Sequence, residues 1–336
     1  MDARLIDERM KCSRRGLLVA APAMALWPTA MAQRDGRRHI AFLSATTAVA
    51  AEQFLNALRA GLGEHGHVDG TNLRIDQRYA DGEVDRLPAL AAELVALGPE
   101  VMVATQTPGA LAAKRATDRI PIVMVAVGDP VGVGLVESLA RPGGNVTGVT
   151  NMTGELAGKR LEILKQSLPG TKRVSVMYNP DDPVATVQRR NVEAVAPQLG
   201  IELGPFVAVR RASDLEAAFA SISRSGAQAV LRLVDPVYVP LRGRTVALAA
   251  RHKVPVMYAF AADVDAGGLM AYGADNLDVY RRAAGLVDKI LKGGSAGELA
   301  VERPTRFELA LNRRTAQALG IRFAPDMLMR ADRVIE

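Results

Sequence analysis

Short β-rich apolar runs alternate with longer stretches of helical spacing along most of this chain, and that alternation restricts the fold more than any other feature. The strand-like runs are 39–43, 73–79, 101–105, 122–127, 173–178, 202–207, 229–234 and 256–258. Helical patterns fall near 50–65, 84–97, 108–118, 155–168, 184–199, 213–224 and 240–252. Pro108 can occupy a first helical turn after Thr107, Ser213-Asp214-Leu215-Glu216 reads as a capping box, and Gly98, Gly200 and Gly320 fit helix ends. A strand–helix series run twice predicts an α/β fold of two doubly wound parallel-sheet lobes, each sheet covered by helices on both faces. A chain of 336 residues is long enough for two such cores.

The series breaks near 140–155, where RPGGNVTGVTN replaces a long helix, and it restarts at Lys172. Beyond Tyr272 come a long helical pattern over 276–292, then Gly293-Gly294-Ser295, a strand-like run at 306–311 and a short helix. A late segment of this kind can pack back on the first lobe. The expected division is an export signal over 1–32, a first lobe of 37–148 with 273–296, and a second of 149–272 with 297–336.

The stretch KCSRRGLLVAAPAMALWPTAMAQ has a basic start, an apolar middle and a small-residue exit, Ala30-Met31-Ala32, which predicts a secretory signal cut before Gln33. Arg14-Arg15 fits a twin-arginine signal, and a general secretion signal with two chance arginines fits as well. The apolar stretch is shorter than the ~20 residues of a membrane span. The expected mature chain is soluble and periplasmic. The only cysteine, Cys12, precedes the apolar stretch, so no disulfide, thiol nucleophile or thiolate metal site is expected after cleavage. Removing 1–32 lowers the net charge from +6 to +4. A charge that small makes no case for nucleic acid.

Ligands of open parallel sheets bind beyond the carboxyl ends of the strands. The residues expected there include Ser44-Ala45-Thr46, Gln106-Thr107-Pro108, Gly128-Asp129-Pro130, Tyr178 to Asp182, Asp235 to Tyr238, Tyr258-Ala259-Phe260 and Tyr272-Gly273. Four of the six tyrosines are among them, and tyrosine suits the wall of a site for a small amphiphilic molecule.

Other chemistries fare less well. VAVGDPVGVGLVESLARPGGNVTG invites a nucleotide reading, but Glu137 stands where a dinucleotide loop needs its third glycine, and the loop follows the fourth strand of its series. No Gly-Lys-Ser/Thr occurs. Gly128 and Pro130 instead predict a turn into a short helix whose N–H groups face the ligand edge. His65-Gly-His67, at the end of the first helix and with no carboxylate in register, reads as a turn rather than a metal site. Asp129 and the Asp181-Asp182 pair could serve as acid and base, but helix capping or a ligand's ammonium explains them better. Asn145-Val-Thr147 and Asn151-Met-Thr153 match a glycosylation sequon and read as loop chemistry, and Arg210-Arg211 and Arg313-Arg314 as solvated helix faces.

The blocks LPALAAELVALGPEVMVA, KRATDRIPIVMVAVGDPVGVGLVESLARPGGNVTGVT, GKRLEILKQSLPG, GGLMAYG, YRRAAGLVDKILKG and ERPTRFELALNRRTAQALG closely resemble the solute-binding proteins of ABC importers of the tryptophan/tyrosine-binding type, over about 37–336. The resemblance implies a type I periplasmic-binding-protein fold with a three-strand hinge. It implies a small-molecule ligand, an amino acid or related carboxylate, handed to a permease and ATPase encoded elsewhere. It further implies no catalysis, no cofactor and a monomer. By position, Ser44, Thr46, Gln106 and Thr107 would line the first lobe with Asp129 beside them. Asn179, Asp182, Asp235 and Tyr258 would line the second, with Tyr272 near the hinge. A ligand carboxylate would meet hydroxyls and helix N–H groups, and an ammonium Asp129 or Asp235. Gln106 stands where a Gly- or Ser-rich turn is expected, which bears on ligand size. A stand-alone sensor feeding a signalling receptor shares these features. An exported enzyme would show turnover falling with Asp129→Asn or Asp182→Asn, and a sugar-responsive repressor of similar lobe design is disfavoured by the export signal and by the lack of a helix-turn-helix pattern before His39.

Overall fold

The computed structural model describes residues 36–336; the expected export signal and Cys12 lie outside the described residues. The chain builds β1 (Arg38–Ser44), α1 (Ala48–Glu64), β2 (Leu73–Tyr79), α2 (Leu87–Ala96), β3 (Val101–Thr105), α3 (Gln106–Ala116), β4 (Ile122–Val127) and β5 (Val146–Thr150). These strands form a parallel five-stranded sheet in the order β2-β1-β3-β4-β5. There follow α4 (Thr153–Ser167), β6 (Arg173–Tyr178), α5 (Ala185–Val195), β7 (Glu202–Ala208), α6 (Asp214–Arg224), β8 (Ala229–Arg232), α7 (Arg242–Arg251), β9 (Val256–Tyr258), α8 (Ala261–Asp265) and β10 (Met270–Ala274). The chain ends with α9 (Asn276–Leu291), β11 (Phe307–Asn312), α10 (Arg313–Ala318), α11 (Pro325–Arg330) and β12 (Arg333–Ile335). The second sheet has seven strands in the order β12-β11-β10-β9-β8-β6-β7. Among the described residues no helix is long and apolar enough to cross a membrane.

β3, β4 and β8, which read plainly as apolar runs, are buried along their whole length, as are β5 and β9. Two strands depart from the parallel expectation, β11 and the β12 that runs parallel to it. β11 pairs antiparallel with β10, Ala274 opposite Phe307 and Met270 opposite Leu311. The reason is connectivity. β10 leaves the second sheet at its cleft end, the chain visits the first lobe as α9, and it re-enters at that same end, so β11 must run the other way.

Three crossings therefore join the lobes: Thr150 to Thr153, Ala274 to Asn276, and the stretch from Glu302, which bridges Val149, to Phe307. Two of the flanking strands carry a glycine pressed against a neighbouring carbonyl. A Cβ on Gly148, whose φ is +152°, would strike Met124 O, and one on Gly273 would strike Ala259 O. A fully buried arginine braces two of the crossings: Arg160 Nε donates to Tyr272 O at 2.8 Å, and Nη1 reaches Thr153 O at 3.5 Å. Among the described residues no carboxylate pairs with it. Burial, then the charge of Arg232, pulls the guanidinium down to about 9.

α9 packs along α1 on the first sheet, contributing Val279, Tyr280, Ala283, Ala284 and Val287 to that lobe's core. The helices meet at Gly61, where a Cβ would fall 2.8 Å from Ala284 Cβ and closer still to Arg281 O. Gly61→Ala is expected to cost ~1–3 kcal/mol by overpacking, read as a lower thermal midpoint.

The histidine pair does have a carboxylate, which arrives from α9. Asp288 Oδ1 lies 2.9 Å from His67 Nε2, and Oδ2 lies 3.7 Å from His65 Nδ1 and 2.8 Å from Lys292 Nζ. Despite burial, the Lys292 and His67 hydrogen bonds and the charges beside them hold Asp288 below the ordinary aspartate value. Among the described residues no group of three or more His, Cys, Asp or Glu side chains is placed to hold a metal ion.

Candidate functional site

The carboxyl ends of both sheets face one cleft. In each sheet the strand order reverses at one point, between β1 and β3 in the first and between β6 and β8 in the second, and that is where open α/β sheets place ligands. A cavity of about 180 Å³ lies there, with walls from both lobes and from the crossings. A wider outer chamber of about 820 Å³ adjoins it, and Asp182, Asp235 and Pro236 border both.

Of the residues expected at the ligand, the structure brings Gln106, Thr107, Asp182 and Asp235 to the cavity wall. Asn179 borders the outer chamber instead and donates its amide to Asp235 Oδ2 at 3.1 Å. Ser44 and Thr46 do not line the cavity. They are buried and bonded to each other, Oγ to Oγ1, at 3.2 Å. Asp129 also stays out. The loop from Gly128 forms turns rather than the expected short helix, and Asp129 Oδ1 accepts the Gly132 N–H at 2.9 Å. The tail of that loop is tied down by Lys114 Nζ, which donates to the carbonyls of Gly134 and Leu135 at 2.9 Å each. Tyr258 is wholly buried inside the second lobe, its ring 4.8 Å from the Arg232 guanidinium carbon. Tyr272 lies within β10 rather than past it, stacked on Phe307.

Sequence reasoning missed several wall residues. Phe54 on α1 and Tyr280 on α9 stack with centroids 5.0 Å apart and give the cavity an aromatic side. Phe260, expected past its strand, adds a third ring from beyond β9. Asn151 and Thr153 come from the first crossing, Asn276 from the second, and Arg242 from the start of α7. The polar ends of Gln106, Asn151 and Asn276 each carry a buried amide oxygen with no hydrogen-bond partner among the described residues.

The backbone here is strained in a pattern that sequence does not reveal. Gln106, Ala126 and Met152 have φ of 62°, 58° and 54°, values that favour glycine. Gln106 and Ala126 line the cavity, and Met152 sits between two residues that do. Ala126 falls where the β4–β5 register shifts, a bulge that turns the end of β4 toward the cleft. Such strain, of order 1–3 kcal/mol per residue, persists where surrounding structure enforces it and clusters at ligand sites.

Asp182 and Asp235 give the cleft its electrostatic character. Each is only 8% exposed. Asp182 Oδ1 accepts the Val184 N–H at 3.1 Å, and Asp235 Oδ1 accepts the Val237 N–H at 2.6 Å. Burial and the neighbouring Asp235 push Asp182 up to about 7. Burial pushes Asp235 up to about 6 against the pull of the Val237 N–H, the Asn179 amide and Arg232. Arg232 is itself committed: Nη2 donates to Asp263 at 2.6 Å, and Tyr238 and Tyr258 flank its guanidinium.

The two lobes touch across the cleft. Gly128 at the end of β4 faces Thr153 and Val184 of the second lobe, with no room for a Cβ between them.

The family model described as ABC transporter substrate binding protein matches residues 40–335. A conserved domain protein of Vibrio cholerae, 29% identical, superposes with a TM-score of 0.84 over 88% of this chain and 99% of its own. A Streptococcus pneumonia ABC domain solved in complex with L-Trp, 26% identical, superposes at 0.83 over 89% of this chain and 100% of its own. A tyrosine-binding protein of Clostridioides difficile is 29% identical over 279 residues, 81% of this chain and 76% of the relative.

Proposed function

The chain belongs to the ABC transporter substrate binding proteins, and on that footing we propose that it captures an amino acid in the cleft between its lobes and delivers it to a permease and ATPase. The observation that carries the reading is the cavity itself, which lies at the switch points of both sheets and sets an aromatic side against two carboxylates that follow β6 and β8. An aromatic amino acid matches that inventory. Its ring meets Phe54, Tyr280 and Phe260, and its ammonium meets Asp235 and Asp182. Its carboxylate meets the Thr107 and Thr153 hydroxyls and the amino-terminal N–H groups of α3 and α4. The relatives named for tyrosine and solved with L-Trp support the same class. Closure of the lobes on the ligand favours the state a permease recognises. The expected export and cleavage after Ala32 place the mature protein in the periplasm.

A thermal-shift screen of the mature chain, refolded to strip carried ligand, tests this. The panel holds the amino acids, purines, sugars and short carboxylates. A ligand at 100 times its Kd adds ~2.7 kcal/mol, a rise of roughly 4–5 °C for a protein of this size. Aromatic amino acids are expected to give the largest rise. A sugar or purine as the sole hit, or no hit, would overturn the assignment.

A further inference from the structure

Five carboxylates line the inner cavity, Asp182, Asp235, Asp265, Asp275 and Glu308, against two arginines, Arg242 and Arg333. Most of these charges are already spoken for. Arg333 pairs with Asp265 at 2.9 Å and stands 4.0 Å from Glu308. Arg242 faces Asp263 at 3.4 Å, and Asp263 also holds Arg232. Asp275 caps α9 by accepting the N–H groups of Leu277 and Asp278. Toward the outer chamber, Arg210 pairs with Asp181, Arg86 with Asp81, and Arg211 lies 3.8 Å from Asp214. The facing turn of the first lobe offers Gln106, Thr107 and Gly128, none of them charged. Arg115 of the first lobe also borders the outer chamber, and Arg232 acts on Asp235 from inside the second lobe. Among the described residues, however, no ion pair reaches Asp182 or Asp235, so the cleft holds two adjacent carboxylates with no cation in direct contact. The unpartnered amides of Gln106, Asn151 and Asn276 do not alter that sign, because an amide can turn over and offer either end. A carboxylate cannot.

We infer that the cleft selects its ligand by a cationic nitrogen, and that the ligand's own carboxylate is dispensable: an aromatic amine binds, and the matching aromatic acid does not. This rests on the amino-acid reading above and narrows it. A zwitterion brings one positive charge and one negative charge to a cavity with an excess of carboxylates. A monocationic amine brings only the charge the site lacks. An acid without the amine adds a third carboxylate beside two that are already poorly solvated.

Calorimetric titration of the mature protein with three probes, L-tyrosine, tyramine and 3-(4-hydroxyphenyl)propionate, separates the cases. Tyramine is expected to bind within about tenfold of tyrosine, and the propionate at least 100-fold more weakly, which is about 2.7 kcal/mol. Asp235→Asn should weaken tyramine and tyrosine alike. Propionate binding close to that of tyrosine, or tyramine binding lost while tyrosine stays tight, overturns the inference and leaves the amino-acid reading intact. If none of the three binds, the aromatic reading has failed. The charge rule is then decided by a second thermal-shift panel pairing aliphatic amines with carboxylates of equal length. Hits confined to the amines uphold the rule; an acid hit, or no hit at all, overturns it.

Discussion

Asp182→Asn should raise the thermal midpoint of the ligand-free protein at pH 8 by several degrees and leave it nearly unchanged at pH 4. Asp182 sits 8% exposed beside Asp235, and burial and that neighbour lift it from the ordinary aspartate range to about 7. A carboxyl raised in the folded state holds its proton more firmly there than in the unfolded chain. Stability is therefore greatest below about pH 4 as far as this group is concerned, and it declines as pH climbs from there through about 7. Asparagine carries no charge to bury and can still accept the Val184 N–H, so it escapes the decline. A shift of this size corresponds to ~2–4 kcal/mol, since each pH unit is worth about 1.4 kcal/mol and coupling to Asp235 shares the cost between two groups. For a domain pair of this length that is roughly 3–6 °C. Melting curves from pH 4 to pH 8 on wild type and variant read it directly. Asp181→Asn is the control: its side chain is 65% exposed in a surface pair with Arg210, and its midpoint should follow wild type at every pH. The same Asp182→Asn protein should lose affinity for an aromatic amino acid. Stability gained and binding lost together mark a residue kept for its ligand. A flat midpoint across pH would mean that the two carboxylates are well solvated, and the charge argument for the cleft would fall with it.

The sequence discloses the two lobes because strands buried on both faces must be apolar throughout, and the runs at 101–105 and 122–127 are. It conceals β5 and β10 for a related reason. Both run beside the crossings, where backbones approach so closely that Gly148 and Gly273 are needed, and glycine within a short run reads as a loop. The site divides in the same way. Residues just past strands could be named from sequence, and Asp182 and Asp235 were among them. Which of those turn toward the cleft depends on partners inside each lobe: Ser44 on Thr46, Asp129 on Gly132, Tyr258 on Arg232. The left-handed turns at Gln106, Ala126 and Met152 carry no glycine to announce them. Asn151, read only as part of a sequon, reaches the cavity because the chain crosses between lobes there.

Gly128→Ala tests closure separately from folding. Gly128 follows β4, and its φ lies outside the left-handed region, so alanine can adopt its backbone. Its N–H donates to Thr107 Oγ1 at 3.4 Å, a contact within the first lobe that alanine retains. The added methyl group would instead meet the second lobe, falling 3.0 Å from Val184 Cγ1 and closer still to Thr153 Oγ1. The substitution therefore penalises the state in which the lobes meet and spares each lobe's own core. Overpacking of this kind costs ~1–3 kcal/mol. Because the lobes can relieve it by parting, that cost is charged to the closed state, and the affinity for an aromatic amino acid should fall by about 5- to 150-fold. The ligand-free midpoint should stay close to wild type. Small-angle scattering should show wild type contracting when ligand is added and the variant contracting less. Thr153→Ala removes the oxygen that the methyl group strikes, so the double variant should recover part of the loss, beyond what the two single variants predict when added. Equal affinity in Gly128→Ala and wild type would show that binding does not require the lobes to meet at this point, and the closure mechanism would have to be abandoned.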